Sequence, residues 1–222
     1  MRTSLRVWPI VLACITAFTG PVAAQFTDFF PRLSDAALER LSHEVIYAGS
    51  YRRIDYPNGD VPAHIGVCTD LLVRAYRSVG IDLQQSVHED MSANFDVYPK
   101  IWGLERPDPN IDHRRVPNLQ VFFARHGREL PVSNQADDYG PGDIVTWMLP
   151  GNLPHIGIVV DRRSFDGERH LVVHNIGNGP ELEDVLFEFP ITGHYRYAGA
   201  RSSQTAGQLP IQAGDSLRVS SP

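Results

Sequence analysis

The character of the chain changes near residue 138, and this change limits the folds that it can adopt. Before that point apolar residues recur at helical spacing, and after it β-rich runs alternate with turn-forming residues. Helices first and strands afterwards are typical of an α+β fold with an antiparallel sheet. The predicted helices cover residues 35–48, 68–79, 86–95 and 116–126, and the predicted strands cover residues 144–148, 155–160, 171–175 and 186–189. Ser34 is the expected N-cap of the first helix, and Gly80 and Gly127 are expected to end the second and fourth.

The two ends of the chain differ in composition from its middle. Residues 1–24 carry Arg2 and Arg6, then an apolar run, then small residues up to Ala24, which is the pattern of a secretory signal peptide. Residues 202–222 are rich in Ser, Gln and Gly, which is typical of a disordered tail. Residues 25–201 remain as a single domain of ordinary size.

The leader predicts an exported protein, either periplasmic or secreted. Lipid anchoring at Cys14 is not favoured, because Leu12 stands where a lipoprotein signal has a smaller residue. No later run reaches the ~18 apolar residues of a membrane-spanning helix. The formal charge of -6 becomes -8 when the two leader arginines are removed, which argues against nucleic acid as a partner.

Cys68 is the only cysteine that remains after removal of the leader, which takes Cys14 with it. It therefore has no internal disulfide partner in an oxidising compartment. Cys68 lies at the predicted start of a helix, where the helix dipole and unpaired N–H groups lower the pKa of a thiol and stabilise a developing oxyanion. A buried, inert cysteine is the structural alternative. We expect Cys68 to be a nucleophile.

His155 opens an apolar β run directly after Gly151-Asn152-Leu153-Pro154, and a histidine at a strand end can reach the start of a helix. It is the candidate general base and acid. A third group should orient the imidazole. His174, at the end of the following strand, is the first candidate for that role, and Asn175 is the second.

Several blocks of the sequence resemble NlpC-type cell-wall cysteine peptidases. They are Tyr56-Pro57-Asn58-Gly59, the cysteine twelve residues after Tyr56, and three later segments: Pro141-Gly142-Asp143-Ile144-Val145, His155-Ile156-Gly157-Ile158-Val159 and Val173-His174. The whole mature chain looks closest to the bacterial domain-of-unknown-function family 1287. The NlpC resemblance implies a papain-like fold, a Cys68–His155–His174 triad, and Tyr56 as a hydroxyl near the oxyanion. It also implies cleavage of peptide bonds in peptidoglycan stems through a thioester, without a cofactor.

The polar segment between Cys68 and His155 supplies candidate substrate-binding residues. Arginine pairs bind carboxylates through two hydrogen bonds, and stem peptides carry several carboxylates. An internal salt-bridge network is an equal alternative, whereas the spacing of the segment's His and Asp residues matches no zinc signature. The candidates are Asp70, His88, Asp90, Asp112, His113, Arg114 and Arg115.

Three other functions remain open at the level of sequence. A metal-dependent hydrolase would use the His and Asp cluster, and a non-catalytic module would use the same cleft to hold cell wall. A thioesterase or transferase would share the acyl-enzyme with a hydrolase. Trp102 and Trp147 are candidates for the lining of the cleft or for the core.

Overall fold

The computed structural model describes residues 22–199, with side chains from residue 28 onward. The leader prediction over residues 1–21 and the tail prediction over residues 202–222 lie outside this range. The four helices are α1 (Val22–Glu39), α2 (Cys68–Ser78), α3 (Leu83–Ala93) and α4 (Val116–His126). The eight strands are β1 (Ile46–Tyr47), β2 (Ile65–Gly66), β3 (Arg128–Glu129), β4 (Ile144–Leu149), β5 (Leu153–Arg163), β6 (His170–His174), β7 (Glu181–Glu183) and β8 (Ile191–Arg196). The predicted α+β class is confirmed.

Six strands form one antiparallel sheet in the order β3-β8-β4-β5-β6-β7, so the long strand β5 lies inside the sheet. Because side chains alternate along a strand, the two faces of the sheet bury different sets. Ile156, Ile158 and Val160 of β5 pack into the main core with the helices. Val159 packs on the other face into a smaller cluster that includes Trp147. Trp147 is therefore a core residue, which was the second of the two positions considered for it from the sequence.

The first predicted helix is wrong in its bounds. Helix α1 ends at Glu39, and the chain becomes extended at His43. Ser34, expected as an N-cap, lies inside α1, where its buried hydroxyl accepts a hydrogen bond of 2.8 Å from the Asp161 N–H of β5. Residues 46 and 47 form β1, which pairs in parallel with β2. This pairing was missed because two short strands carry no period in the sequence.

The elements that flank the candidate site agree well with the sequence. Helix α2 begins at Cys68 and is followed by Gly80 with a positive φ of 90°. Helix α4 has the predicted bounds, with Gly127 directly after it. The third helix exists but begins earlier, at Leu83, because the Asp82 carboxylate caps it by accepting from the Gln84 N–H.

The last predicted strand, residues 186–189, is wrong. This stretch is a turn in which Leu186 is buried and its carbonyl accepts a hydrogen bond of 3.0 Å from the Trp147 indole. The strands around it are β7 and β8 instead. Within residues 22–199, no helix is long and apolar enough to cross a membrane.

Candidate functional site

Cys68 is the first residue of α2, and its side chain is 5% exposed. Three polar groups lie beside the sulfur: the N–H of Thr69, the N–H of Ile156 in β5, and the hydroxyl of Tyr47 in β1. The Cys68 N–H also has no acceptor within the helix, because the first N–H groups of any helix lack one. The thiol therefore sits where a helix start, a sheet strand and a phenol meet.

Burial raises the pKa of the Cys68 thiol to about 11, although the two N–H groups and Tyr47 lower it. The expectation that the helix start depresses this pKa is therefore wrong, because desolvation of the thiolate outweighs the polar groups around it. Burial also raises the pKa of Tyr47 above its ordinary value, with the nearby sulfur adding to the effect. At neutral pH both groups keep their protons.

His155 lies next to the thiol along β5. The next residue, Ile156, directs its N–H to the Cys68 sulfur. Standard backbone and hydrogen-bond dimensions then place the sulfur within about 6 Å of the His155 Cα. The His155 side chain is buried, and its ring stands 6.0 Å from the Trp147 ring. The structure thus places the β5 backbone at His155 beside the thiol with which the sequence pairs this histidine.

A line of hydrogen bonds leads from His155 to the surface. His155 Nε2 is 2.8 Å from His174 Nδ1, and His174 Nε2 is 2.8 Å from Glu183 Oε2. A carboxylate only accepts, so the hydrogen-bond pattern assigns a proton to His174 Nε2 and leaves Nδ1 of neutral His174 as an acceptor. His155 Nε2 must then donate, and Nδ1 of neutral His155 carries the free lone pair. This nitrogen is the one able to take a proton.

Both imidazoles of this line are neutral in the resting protein. Burial lowers the pKa of His155 to about 3, and the neighbouring His174 adds to the effect. Burial also lowers the pKa of His174, while the Glu183 carboxylate opposes that shift. The resting site is therefore a neutral thiol beside a neutral imidazole, and not an ion pair.

Gly157 allows strands β5 and β6 to approach closely at this point. It is the partner of His174 in the β-ladder. A Cβ atom at residue 157 would lie 2.7 Å from Val172 Cγ1 and 3.1 Å from the Cβ of His174. The absence of a side chain here leaves room for the side chains of Val172 and His174 on the neighbouring strand.

The tyrosine beside the sulfur is Tyr47, and not the predicted Tyr56. The Tyr56 ring packs edge-on against His88, with 5.0 Å between ring centroids, and is 42% exposed. Tyr47 was missed because it belongs to a two-residue strand. Glu183 was also missed, although its position in the alternating Glu181-Leu182-Glu183 run was a signal for a strand.

Of the two candidate orienting residues, the structure brings His174 and not Asn175 to His155. The Asn175 side chain is buried, and its Oδ1 accepts a hydrogen bond of 3.1 Å from the Gly177 N–H. It thereby shapes the turn after β6.

Asp70 and Arg114 form a buried ion pair with each other. The guanidinium donates through Nε and Nη2 to the two carboxylate oxygens, at 2.8 and 2.9 Å. Asp70 Oδ2 also accepts from the Val67 N–H at 2.7 Å, so the same carboxylate caps α2 directly beside Cys68. This arrangement favours the internal salt-bridge interpretation for these two residues.

Asp90 belongs to a separate cluster. Its carboxylate binds Arg125, His126 and Tyr98, which hold its pKa well below its usual value against the opposing effect of burial. Asp90 therefore links α3 to α4 and is not part of the site around the thiol.

The four remaining candidates are His88, Asp112, His113 and Arg115. They lie on α3 and on the segment that leads into α4. Burial raises the pKa of Asp112 to about 6 and lowers the pKa of His113 to about 4. Trp102 is 42% exposed and packs under the Arg115 guanidinium at 4.2 Å. Among the residues that the structure describes, no group of three or more His, Cys, Asp or Glu side chains is placed to hold a metal ion.

Comparison with known proteins identifies a family and a relative. The family described as "Domain of unknown function (DUF1287)" matches residues 34–197. The relative is a protein of Escherichia coli described as "Uncharacterized protein YijF". It is 50% identical over 207 residues, which cover 89% of this chain and 98% of the relative.

Proposed function

The chain belongs to the DUF1287 family, and we propose that it is an exported cysteine hydrolase that cleaves an amide bond in cell-wall peptides through a thioester. The observation that carries this proposal is the line of hydrogen bonds from Glu183 through His174 to His155, the residue before Ile156, whose N–H is directed at the Cys68 sulfur. A cysteine with a purely structural role would not require this chain of hydrogen bonds at His155.

The first half of the reaction forms the thioester. As the Cys68 sulfur attacks the carbonyl carbon, its proton passes to His155 Nδ1, so that a C–S bond and an oxyanion form together. When the oxyanion collapses, the C–N bond breaks and the leaving amine takes the proton from His155. Because both resting groups are neutral, proton transfer accompanies attack and does not precede it.

The second half releases the acid. A water molecule gives a proton to the same nitrogen of His155 and attacks the thioester carbonyl. Collapse then breaks the C–S bond, and the thiolate takes the proton back from the imidazolium. Glu183 stabilises the positive charge that appears twice in this cycle, because His174 links its carboxylate to His155.

The oxyanion would be held by the Cys68 N–H and the Tyr47 hydroxyl. The N–H has no acceptor within the helix and is directed at the Tyr47 oxygen, and the phenol lies beside the sulfur. Since the pKa of Tyr47 is raised, its hydroxyl remains a donor over the whole working pH range. Tyr47 takes the role that the resemblance gave to Tyr56.

A cell-wall peptide is supported as the substrate by three properties of the chain. These are the resemblance to NlpC-type peptidases, the leader over residues 1–24, and the acidic charge that disfavours nucleic acid. Among the side chains that the structure describes, those by which α1 enters the main core include Phe29, Leu33 and Ala37, which follow Ala24. Cleavage after Ala24 therefore leaves these three core contacts of α1 intact.

The test is digestion of purified peptidoglycan sacculi by the mature protein, with released fragments analysed by liquid chromatography and mass spectrometry. We expect fragments with new amino and carboxyl termini from the wild type and none from Cys68→Ala or His155→Ala. Tyr47→Phe should slow release by about 100-fold or more, as loss of one oxyanion donor does in other hydrolases. The matched control Tyr56→Phe should digest at the wild-type rate.

The proposal is overturned if wild-type protein releases nothing, or if Cys68→Ala releases the same fragments. Binding to sacculi without release would identify a non-catalytic cell-wall module. Chelator-sensitive release that survives Cys68→Ala would identify the metal-dependent alternative.

A further inference from the structure

A cavity lies beside the start of α2 and opens to solvent. It encloses about 200 Å³ of space, part of it outside the protein, and its inner part is wide enough only for a group the size of a water molecule. Val67, which precedes Cys68, and Asn175, which follows His174, both line the cavity. The cavity therefore adjoins the proposed catalytic residues but is a separate feature of the molecule.

Two arginines line the cavity, and only one of them is occupied by protein partners. Arg74 donates to the Asp60 carboxylate at 2.9 Å and to backbone oxygens such as that of Ile65 at 3.0 Å. Arg40 forms no side-chain hydrogen bond within the part of the chain that the structure describes, and the Glu39 carboxylate stands 3.8 Å from its Nη1, too far for one. The Arg40 side chain is 11% exposed, so a largely buried cation without a close partner still meets open space.

The third polar residue of the lining is Asn175. Its Oδ1 accepts from the Gly177 N–H at 3.1 Å, which leaves Nδ2 as a donor without a partner among the described residues. Burial lowers the pKa of Arg40, the Glu39 carboxylate opposes that shift, and the Arg74 guanidinium adds to it by repulsion. None of the described residues that line the cavity carries a carboxylate. The cavity thus offers hydrogen-bond donors and positive charge without an anionic group.

Apolar groups form the other walls of the cavity. They belong to Val45, Val67, Leu71 and Pro180. Gly66 completes the lining, and a Cβ atom there would lie 3.3 Å from Arg74 Nη1, so glycine keeps the space beside that guanidinium open. A tetrahedral phosphate is too wide for the inner part, and a bare inorganic ion would lose its water against these apolar walls without gaining contacts. The walls suit an anionic group attached to hydrocarbon.

We propose that this cavity binds a carboxylate group carried on a short aliphatic stem. One carboxylate oxygen would occupy the inner part and accept from the Arg40 guanidinium, and Asn175 Nδ2 would donate to the same carboxylate. The stem would contact the apolar walls and lead out through the opening. The negative charge would then offset the two lining arginines, which no group of the cavity's own lining does.

The carboxylate has two chemical sources, a free small carboxylic acid or a cell-wall peptide held at the thiol. The site itself follows from the side chains of the cavity, and only the second source rests on the proposed function. The experiment therefore uses the Cys68→Ala protein that begins at residue 25, in which binding is separated from any hydrolysis.

Binding is followed by two-dimensional NMR of isotope-labelled protein titrated with propionate, with its neutral isostere propionamide, and with chloride at matched ionic strength. We expect propionate to shift the backbone N–H signals of Gly66 and Val67 and the side-chain amide signal of Asn175 until saturation. Propionamide and chloride should bind more weakly by about 10-fold or more, since each lacks part of the proposed contacts. Soluble peptidoglycan peptides are titrated before and after amidation of their carboxylates. Saturation that amidation abolishes identifies the cell-wall peptide as the source, and saturation by propionate without the peptides identifies a free acid.

Arg40→Gln should weaken propionate binding by about 10-fold or more, since it removes a charge-assisted contact, and Arg40→Lys, which keeps the charge, should restore part of it. Arg169→Gln, which removes a surface pairing with Asp184, is the matched control and should bind like the parent. Near-ultraviolet circular dichroism checks that each variant is folded. Asn175→Asp, which adds a negative charge to the cavity, should abolish binding and provides the test if Arg40→Gln does not fold.

The inference is overturned if neither propionate nor the peptides approach saturation up to about 50 mM, a Kd range that corresponds to negligible affinity. It is equally overturned if propionamide or chloride binds as tightly as propionate, or if folded Arg40→Gln binds like the parent. Hydrolysis of sacculi by the wild type together with any of these results would remove this site and leave the proposed activity standing. Carboxylate binding without any hydrolysis by the wild type would do the reverse.

Discussion

Alkylation of Cys68 provides a direct test of the resting state of the site. The thiol pKa is about 11 because burial disfavours the thiolate. At pH 7 that value leaves ~0.01% thiolate, against ~3% for a free cysteine with a pKa of ~8.5, a deficit of ~300-fold. A more basic thiolate is also more nucleophilic, and a Brønsted coefficient of ~0.45 raises the rate constant of the thiolate itself by ~13-fold. The net expectation is alkylation at least ~20-fold slower than that of a free thiol.

The assay follows iodoacetamide labelling of the mature protein by intact mass between pH 6 and pH 10, with N-acetylcysteine as reference. Since Cys68 is the only cysteine after residue 24, every adduct of a protein that begins at residue 25 reports this thiol. The logarithm of the rate should rise by one for each pH unit, without a plateau below pH 9. The same protein unfolded in guanidinium should react like the reference.

His155→Ala should change this pH profile little, because His155 with its pKa of about 3 carries no charge that could stabilise a thiolate. A plateau that begins below pH 7 in the wild type and disappears in His155→Ala would refute the reasoning. It would mean that the resting site is a thiolate–imidazolium pair, and that burial does not control the sulfur.

Three further predictions concern stability, measured by urea denaturation. Gly157→Ala should lower the free energy of unfolding by about 1–3 kcal/mol, because the new Cβ would lie 2.7 Å from a valine methyl of β6; an unchanged midpoint would show that the strands can separate freely. Asp70→Ala should cost about 3–5 kcal/mol, because it leaves the buried Arg114 guanidinium unpaired; a loss below about 1 kcal/mol would show that the pair is solvated. Acid should lower the free energy of unfolding between pH 6.5 and pH 3. In this range the unfolded chain binds protons at His155 and His113, whereas burial in the folded chain lowers the pKa values of these residues to about 3 and about 4. Equal urea midpoints at pH 7 and pH 4.5 would contradict this.

The sequence predicted the placement of those candidate-site residues that lie on long, regular elements. Cys68 begins a helix with a clear apolar period, and His155 and His174 lie on strands with continuous apolar runs, so their elements and their proximity could be inferred. Topology then brought the two histidines to adjacent strands, with His174 opposite Gly157. These are the parts of the site that local patterns control.

The residues that were missed or misplaced depend on short elements and on long-range contacts. Tyr47 lies on a strand of two residues, too short for a period to be visible, and Glu183 lies on a strand of three residues, whose alternation is only a weak signal. The helix start alone led us to expect a lowered pKa for Cys68. The pKa is raised instead, because β1 and β5 bury the sulfur, and the sequence does not reveal how closely these strands pack against it. Likewise the pairing of Asp70 with Arg114 spans 44 positions and leaves no local trace in the sequence.

The burial of Cys68 has a consequence for the lifetime of the exported enzyme that we propose. Oxidants such as peroxide attack the thiolate, and a cysteine oxidised beyond the sulfenic acid cannot be restored by thiols. A sulfur that is 5% exposed and almost entirely protonated offers little to such oxidants while the protein waits for substrate. Low resting reactivity thus acts as chemical protection, and in the proposed mechanism Cys68 becomes reactive only while substrate is bound.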